Sequence, residues 1–148
     1  MARILIVEDN ALNVKLFCDL LAAHGHEPQA VTDSRQALEA AHDFSPDLVI
    51  TDIQLPHVTG FDLIRMMRAD DRLSDVPIMA VTAYAARGDE ERIRAAGAQA
   101  YVSKPISVMR FAETVDQLLH SANGADPENN AVDGPGPTEA GGEEESQL

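Results

Sequence analysis

The sequence predicts an α/β fold in which one parallel β-sheet lies between two layers of helices. Short apolar runs alternate with longer segments of helical periodicity, which gives five β-α units along the chain. The runs are apolar rather than alternating, as expected for strands that are covered on both faces of a sheet. Because crossovers between parallel strands are right-handed, the favoured architecture is a three-layer α/β/α sandwich.

Five segments are predicted to form strands. In the third of them, the apolar run Leu48-Val49-Ile50 leads directly into Asp52, and Pro46 and Pro56 bracket the strand. The segment at 27–31 is weaker than the others. The predicted strands are residues 3–7, 27–31, 46–51, 76–82 and 99–103.

Polar capping residues and glycines mark the ends of the predicted helices. Asn10 and Ser34 are expected to cap the first and second helices, and Thr59 opens the third. Gly25 and Gly97 are expected to end helices. The first helix carries an apolar stripe that we expect to face the core, formed by Leu12, Leu16, Phe17, Leu20 and Leu21.

The composition predicts one domain followed by a polar tail. The chain has 148 residues, of which 45% are hydrophobic, which suits a single core. We predict that residues 1–120 form the domain. Residues 121–148 are rich in acids, glycine and proline and are expected to be disordered. The chain has no apolar run of membrane-spanning length, no secretory leader and a single cysteine, Cys18, so we expect a cytoplasmic protein.

The charge of the chain argues against nucleic-acid binding. The net charge is −14, from 25 acidic and 11 basic residues. Removing the seven acids of the tail leaves the first 120 residues at −7, since −14 + 7 = −7 and the tail has no lysine or arginine. Such a surface repels a phosphate backbone.

Chemically active side chains follow four of the predicted strands. Glu8 and Asp9 come after the first strand, Asp52 after the third, Thr82 ends the fourth and Lys104 follows the fifth. The carboxyl ends of parallel strands share the sheet edge at which ligands bind. Clustered carboxylates suit Mg²⁺, while a lysine and a hydroxyl suit a phosphoryl group. The set predicts phosphoryl transfer with Asp52 as nucleophile, forming an acyl phosphate.

Each of these residues, taken singly, also has an ordinary structural interpretation. Asp52 and Thr82 can be turn residues, the acidic pair can complement a helix dipole, and Lys104 can be a solvated surface lysine. Their joint placement at the ends of different strands favours the functional interpretation.

Four motifs together resemble the receiver domain of two-component response regulators, over residues 1–120. They are Ile6-Val7-Glu8-Asp9-Asn10, Asp52-Ile53-Gln54-Leu55-Pro56 with Gly60, Val81-Thr82-Ala83, and Lys104-Pro105. The resemblance implies a flavodoxin-like sheet with strand order 2-1-3-4-5. Segments 10–17, 88–94 and 103–108 further resemble the single-domain cell-cycle regulators of this family.

The resemblance assigns a role to each residue of the cluster. Asp52 would be the phosphoacceptor, and Lys104 would pair with the phosphoryl oxygens. The bond from Lys104 to Pro105 is expected to be cis. Mg²⁺ would be held by Glu8, Asp9, Asp52 and the backbone carbonyl of Gln54.

The resemblance also implies a conformational switch. Thr82 would turn toward the phosphoryl group while the ring of Tyr101 moves inward, which alters the face formed by helix 4, strand 5 and helix 5. Gln54 and Tyr84 would tune dephosphorylation. A histidine kinase or histidine phosphotransfer protein would supply the phosphoryl group, and a downstream protein would bind the altered face. Apart from Mg²⁺-dependent phosphorylation and dephosphorylation of itself, the protein would not be an enzyme.

Two alternative functions stay open from the sequence. An aspartate-nucleophile phosphatase would need a second aspartate two residues after Asp52, where this chain has Gln54, which cannot act as a general acid. A phosphate-independent adaptor would keep the fold but would not need Asp52, Thr82 and Lys104 together.

Overall fold

A computed structural model describes residues 2–83 and 87–122. The chain divides into two units, Met1–Leu118 and Leu119–Leu148, and the first contains the five strands found among the described residues. Of the second unit, residues 119–122 are described and belong to the last helix. The remainder of the predicted tail and Tyr84 lie outside the described residues.

The described residues form the predicted α/β fold, with a parallel sheet in the order β2-β1-β3-β4-β5. This confirms the predicted strand order. The strands are β1 (Arg3–Val7), β2 (Glu27–Val31), β3 (Leu48–Asp52), β4 (Ile78–Thr82) and β5 (Ala100–Ser103). The helices are α1 (Ala11–Ala23), α2 (Ala37–Phe44), α3 (Gly60–Arg68), α4 (Arg87–Ala96) and α5 (Val108–Ala122), with a short 3₁₀ turn at Ser34–Gln36 before α2.

Both faces of the central strands are covered. Every residue of β3 and β4 is buried, which explains why these strands are apolar rather than alternating. On one face, side chains of α2, α3 and α4 share a hydrophobic cluster with Leu5 and Val49. In the second helical layer, which contains α1 and α5, the rings of Phe17 and Phe111 stack with their centroids 5.2 Å apart. Within the described residues, no helix has the length and apolar character needed to cross a membrane.

The predicted apolar stripe of α1 is only partly correct. Phe17 and Leu21 are buried, but Leu12 is 79% exposed and Leu16 is 39% exposed. Successive residues of an α-helix are rotated by about 100°, so Leu12 and Leu16 lie well to the side of Phe17. The stripe that faces the core is therefore narrower than the sequence suggested.

The capping predictions hold for α1 and α3 but not for α2. The side chain of Asn10 accepts hydrogen bonds from backbone amides of α1, and Thr59 does so for α3. Asp33 instead caps the 3₁₀ turn that precedes α2, and its carboxylate accepts from the amide of Arg35 at 2.9 Å. The N-cap residue of α2 itself is Gln36, whose side chain makes no capping hydrogen bond. The predicted cap, Ser34, is buried and serves a tertiary contact instead.

Ser34 fastens the loop that follows β3. Its hydroxyl donates to the carbonyl of Pro56 at 2.8 Å and accepts from the amide of Val58 at 3.2 Å. The Ser34 hydroxyl, acting as both donor and acceptor, therefore links the loop after β3 to the segment between β2 and α2. This contact fixes the path of the chain just after Asp52.

Candidate functional site

The carboxyl edge of the sheet brings three carboxylates together. One oxygen from each of Glu8, Asp9 and Asp52 lies within 4.8 Å of the others. Glu8 and Asp52 are buried, with 1% and 6% of their surface exposed, whereas Asp9 is exposed. Burying like charges this close is unfavourable unless a cation joins them. The cluster therefore has the composition of a site for a hard cation.

Lys104 supplies one positive charge to this cluster. Its Nζ lies 2.8 Å from Oδ2 of Asp52 and 3.4 Å from Oε1 of Glu8. The backbone amide of Lys104 donates to the carbonyl of Thr82 at 2.8 Å, which ties the end of β5 to the end of β4. The peptide bond from Lys104 to Pro105 is cis, as the family resemblance implies.

The electrostatics of the site follow from burial and from an excess of negative charge. Burial, followed by the charge of Asp52, raises the pKa of the Glu8 carboxyl, although Lys104 and the amide of Asn10 oppose this. Burial alone would lower the pKa of Lys104, but its hydrogen bond to Asp52 and the two carboxylate charges raise it instead. The lysine is thus firmly protonated, and the site keeps a net attraction for a further cation.

Backbone amides hold the two buried carboxylates in place. Oδ1 of Asp52 accepts from the amide of Gln54 at 3.0 Å, so both of its oxygens have a donor. Oε2 of Glu8 accepts from the amide of Asn10 at 3.1 Å. The position of Asp52 is therefore set by the turn that follows β3 as well as by the strand itself.

A close approach of α3 supports the backbone at Asp52. The amide of Gly60 donates to the carbonyl of Ile53 at 2.9 Å. A Cβ atom added at Gly60 would lie 2.3 Å from the carbonyl oxygen of Asp52 and 2.5 Å from Cα of Ile53. Only glycine fits this contact, which explains its place in the motif.

The residues proposed for the switch lie on neighbouring strands. Thr82 is buried at the end of β4, where the site begins. Tyr101 is half-buried on β5 beside Ala80, and its hydroxyl donates to Oε1 of Glu90 on α4 at 3.2 Å. In the register of β4 and β5, Thr82 lies opposite Ser103. Tyr101 therefore lies on the neighbouring strand, two residues before the position opposite Thr82.

A surface pocket adjoins the site on the side of α3 and α4. It has a volume of about 200 Å³, and its wall includes Gln54 and Thr82 from the site. The guanidinium of Arg92 lies 4.4 Å from the ring centroid of Phe61, and both residues line the pocket. Sequence reasoning missed this pair because its members belong to different helices, and nothing in their spacing indicates that they meet.

Comparisons with known proteins agree with this geometry. The model of the response regulator receiver domain family matches residues 4–116. The polar-differentiation response regulator DivK of Brucella anthropi is 50% identical over 119 residues, which are 80% of this chain and 97% of the relative. DivK of Brucella ovis is 49% identical over 119 residues, which again are 80% of this chain and 97% of the relative.

Solved structures of the same kind superpose on the chain. The receiver domain of the sensor histidine kinase PA1611 from Pseudomonas aeruginosa is 31% identical, with a TM-score of 0.74. The match covers 80% of this chain and 97% of that one. The structure of that domain has a magnesium ion coordinated in the active-site cleft. The chemotaxis protein CheY4 of Vibrio cholerae is 25% identical, with a TM-score of 0.76 and coverage of 80% and 98%. The chain therefore belongs to the response regulator receiver domain family, whose members signal by phosphorylation in two-component systems.

Proposed function

We propose that this protein accepts a phosphoryl group on Asp52 and signals through the phosphorylated form. The observation that carries the proposal is the environment of the Asp52 carboxylate. Its Oδ2 lies 2.8 Å from the ammonium of Lys104, within a cluster that also contains Glu8 and Asp9. A carboxylate that lies between an ammonium group and a cluster of carboxylate oxygens able to bind a metal ion is suited to attack a phosphorus atom. In such a reaction, positioning and charge neutralisation supply most of the catalysis.

The covalent step needs no redox partner. An oxygen of the Asp52 carboxylate attacks the phosphorus of a phosphohistidine or of acetyl phosphate, and a new P–O bond forms. The bond from phosphorus to the donor's nitrogen or oxygen breaks, and its electron pair stays with the donor, which takes up a proton if its basicity requires one. Lys104 and the hydroxyl of Thr82 would bind the phosphoryl oxygens as charge shifts onto them.

The carboxylate cluster fits Mg²⁺. Three carboxylate oxygens within 4.8 Å offer the hard ligands that Mg²⁺ prefers, and the exposed Asp9 leaves an open side for waters and phosphoryl oxygens. The residues that would hold the ion are Glu8, Asp9, Asp52 and the backbone carbonyl of Gln54. Bound there, the ion would neutralise the carboxylates and the phosphoryl oxygens.

Replacing Asp9 with asparagine should change how the protein responds to Mg²⁺. We expect the thermal midpoint in EDTA to rise by about 1–2 °C, because one of three clustered negative charges is lost. The midpoint of the original protein should rise further when Mg²⁺ is added, since a ligand of the native state stabilises it, and most of this rise should disappear in the variant. Thermal unfolding with Mg²⁺ and with EDTA measures both effects. Asp43→Asn, a change at an exposed position of α2, is the matched control and should keep the full response to Mg²⁺.

Thr82 and Tyr101 would pass the signal from Asp52 to a protein partner. Their strands adjoin in the sheet, and Tyr101 contacts α4 through Glu90. A change at Thr82 that moves the ring of Tyr101 would alter the face formed by α4, β5 and α5, where we place the binding of a downstream protein. Gln54, next to the phosphoacceptor, would set how fast the phosphoryl group is hydrolysed.

The identity of the relatives suggests the pathway. The DivK proteins, at 49–50% identity, are named for polar differentiation. We propose by likeness that this protein acts in cell-cycle or cell-division control in the cytoplasm, receiving its phosphoryl group from a histidine kinase or a histidine phosphotransfer protein.

The proposal is tested by the mass of the intact protein after incubation with acetyl phosphate. With Mg²⁺, we expect the mass to increase by one acid-labile phosphoryl group, because the Asp52 carboxylate lies beside the ammonium of Lys104 and close to Glu8 and Asp9. With EDTA the increase should be absent or much slower. An unchanged mass in Mg²⁺ under conditions that phosphorylate another receiver domain would contradict the proposal.

A further inference from the structure

Glu90 on α4 makes a direct contact with the ring that is proposed to switch. The hydroxyl of Tyr101 donates to Oε1 of Glu90 at 3.2 Å. The ring of Tyr101 is half-buried and packs against the hydrophobic cluster below α2, α3 and α4. This hydrogen bond therefore joins β5 to α4 at the rim of the sheet.

The carboxylate of Glu90 is itself held from a second side. Its Oε2 lies 3.2 Å from Nε of Arg94, one turn further along α4. Nη1 of the same guanidinium donates to the carbonyl of Gln99 at 3.0 Å, just before β5 begins. Glu90 thus accepts a hydrogen bond at each of its carboxylate oxygens, one from Tyr101 and one from Arg94.

We infer that Glu90 is a positioning residue that holds the ring of Tyr101 at the α4 rim and opposes its inward movement. The inference rests on the proposed function, because it concerns the switch that follows phosphorylation of Asp52. If the ring moves inward, its hydroxyl leaves Glu90 and this hydrogen bond must break. A hydrogen bond to a charged acceptor biases such an equilibrium, and its loss should shift the population toward the inward position.

The charges around Tyr101 provide an independent spectroscopic readout. Burial raises the pKa of the Tyr101 phenol, and the charge and hydrogen bond of Glu90 raise it further. Arg94 and Arg110 act in the opposite direction. Neutralising Glu90 while keeping its shape should therefore lower the pKa of this phenol, which shows that the carboxylate contacts the ring in solution, while the affinity for a phosphoryl analogue reports whether that contact opposes the switch.

The test compares Glu90→Gln and Glu90→Ala with a control variant, Glu91→Gln. Glu91 is the next residue along α4, and its side chain is exposed. The chain has two tyrosines and no tryptophan, so ring-labelled tyrosine followed by NMR gives a simple spectrum. The ring signal of Tyr101 is recorded as a function of pH and during titration with beryllofluoride, an analogue of the phosphoryl group, in Mg²⁺.

We expect Glu90→Ala to bind beryllofluoride about five-fold more tightly than the original protein, because the bond that opposes the inward ring is gone. Glu90→Gln should lower the pKa of Tyr101, and Glu91→Gln should change neither quantity. Equal beryllofluoride affinity for Glu90→Ala and the original protein would overturn the inference and leave the proposed function standing. If the original protein does not bind beryllofluoride at all, both are overturned.

Discussion

Replacing Lys104 with methionine should slow the phosphorylation of Asp52 by about 100-fold or more. Nζ of Lys104 is 2.8 Å from Asp52 and 3.4 Å from Glu8 and is placed to bind the oxygens of an incoming phosphoryl group. Methionine keeps an unbranched side chain that is one atom shorter than lysine but removes the charge that would stabilise the transition state. The initial rate of phosphorylation by acetyl phosphate in Mg²⁺ measures the effect.

Lys15 provides the matched control for this substitution. It is an exposed lysine on α1 whose ammonium pairs with Asp19, so Lys15→Met changes the same charge at the surface. We expect this variant to be phosphorylated at the original rate. Circular dichroism and urea unfolding establish that both variants are folded, since loss of Lys104 also leaves two buried carboxylates without their cation. A folded Lys104→Met variant with the original rate would show that Lys104 plays no part in the transfer.

Replacing Gly60 with alanine should destabilise the protein by about 2–3 kcal/mol. The added Cβ would lie 2.3 Å from the carbonyl oxygen of Asp52 and 2.5 Å from Cα of Ile53, and both are backbone atoms that cannot rotate away. The first turn of α3 must therefore move, together with the hydrogen bond from Gly60 to Ile53. Equilibrium unfolding in urea measures the change in the free energy of unfolding.

Gly25 separates the effect of this clash from the general effect of replacing a glycine. It has a φ of +86°, but a Cβ atom at Gly25 would meet nothing within 4 Å. Gly25→Ala should therefore show only the strain of a left-handed backbone, about 1 kcal/mol. If Gly60→Ala is no more destabilising than Gly25→Ala, the close approach of α3 to Asp52 does not constrain the fold.

The sequence predicts the sheet and the clustered residues well, for one physical reason. Strands that are buried on both faces are continuous apolar runs, so Leu48-Val49-Ile50 locates β3 and places Asp52 at its end. Because parallel strands end at one edge, residues far apart in sequence, such as Glu8 and Lys104, could be expected to meet there, and they do.

Features that depend on the rotation of a helix or on a tertiary contact could not be predicted in this way. Ser34 has the chemistry of a helix cap, but the carbonyl of Pro56 and the amide of Val58 compete for its hydroxyl. Leu12 fits an apolar stripe but lies on the solvent side of α1. The bond between Tyr101 and Glu90 depends on how α4 is rotated against β5, and no sequence spacing determines that rotation.

The central claim is that Asp52 is the phosphoacceptor, and locating the phosphoryl group on the chain tests it most directly. The protein is phosphorylated with acetyl phosphate in Mg²⁺, the acyl phosphate is reduced with borohydride to give homoserine, and the modified residue is identified by peptide mass spectrometry. We expect homoserine at Asp52 alone and none in Asp52→Asn. Modification at another residue, or undiminished phosphorylation of Asp52→Asn, would contradict the account.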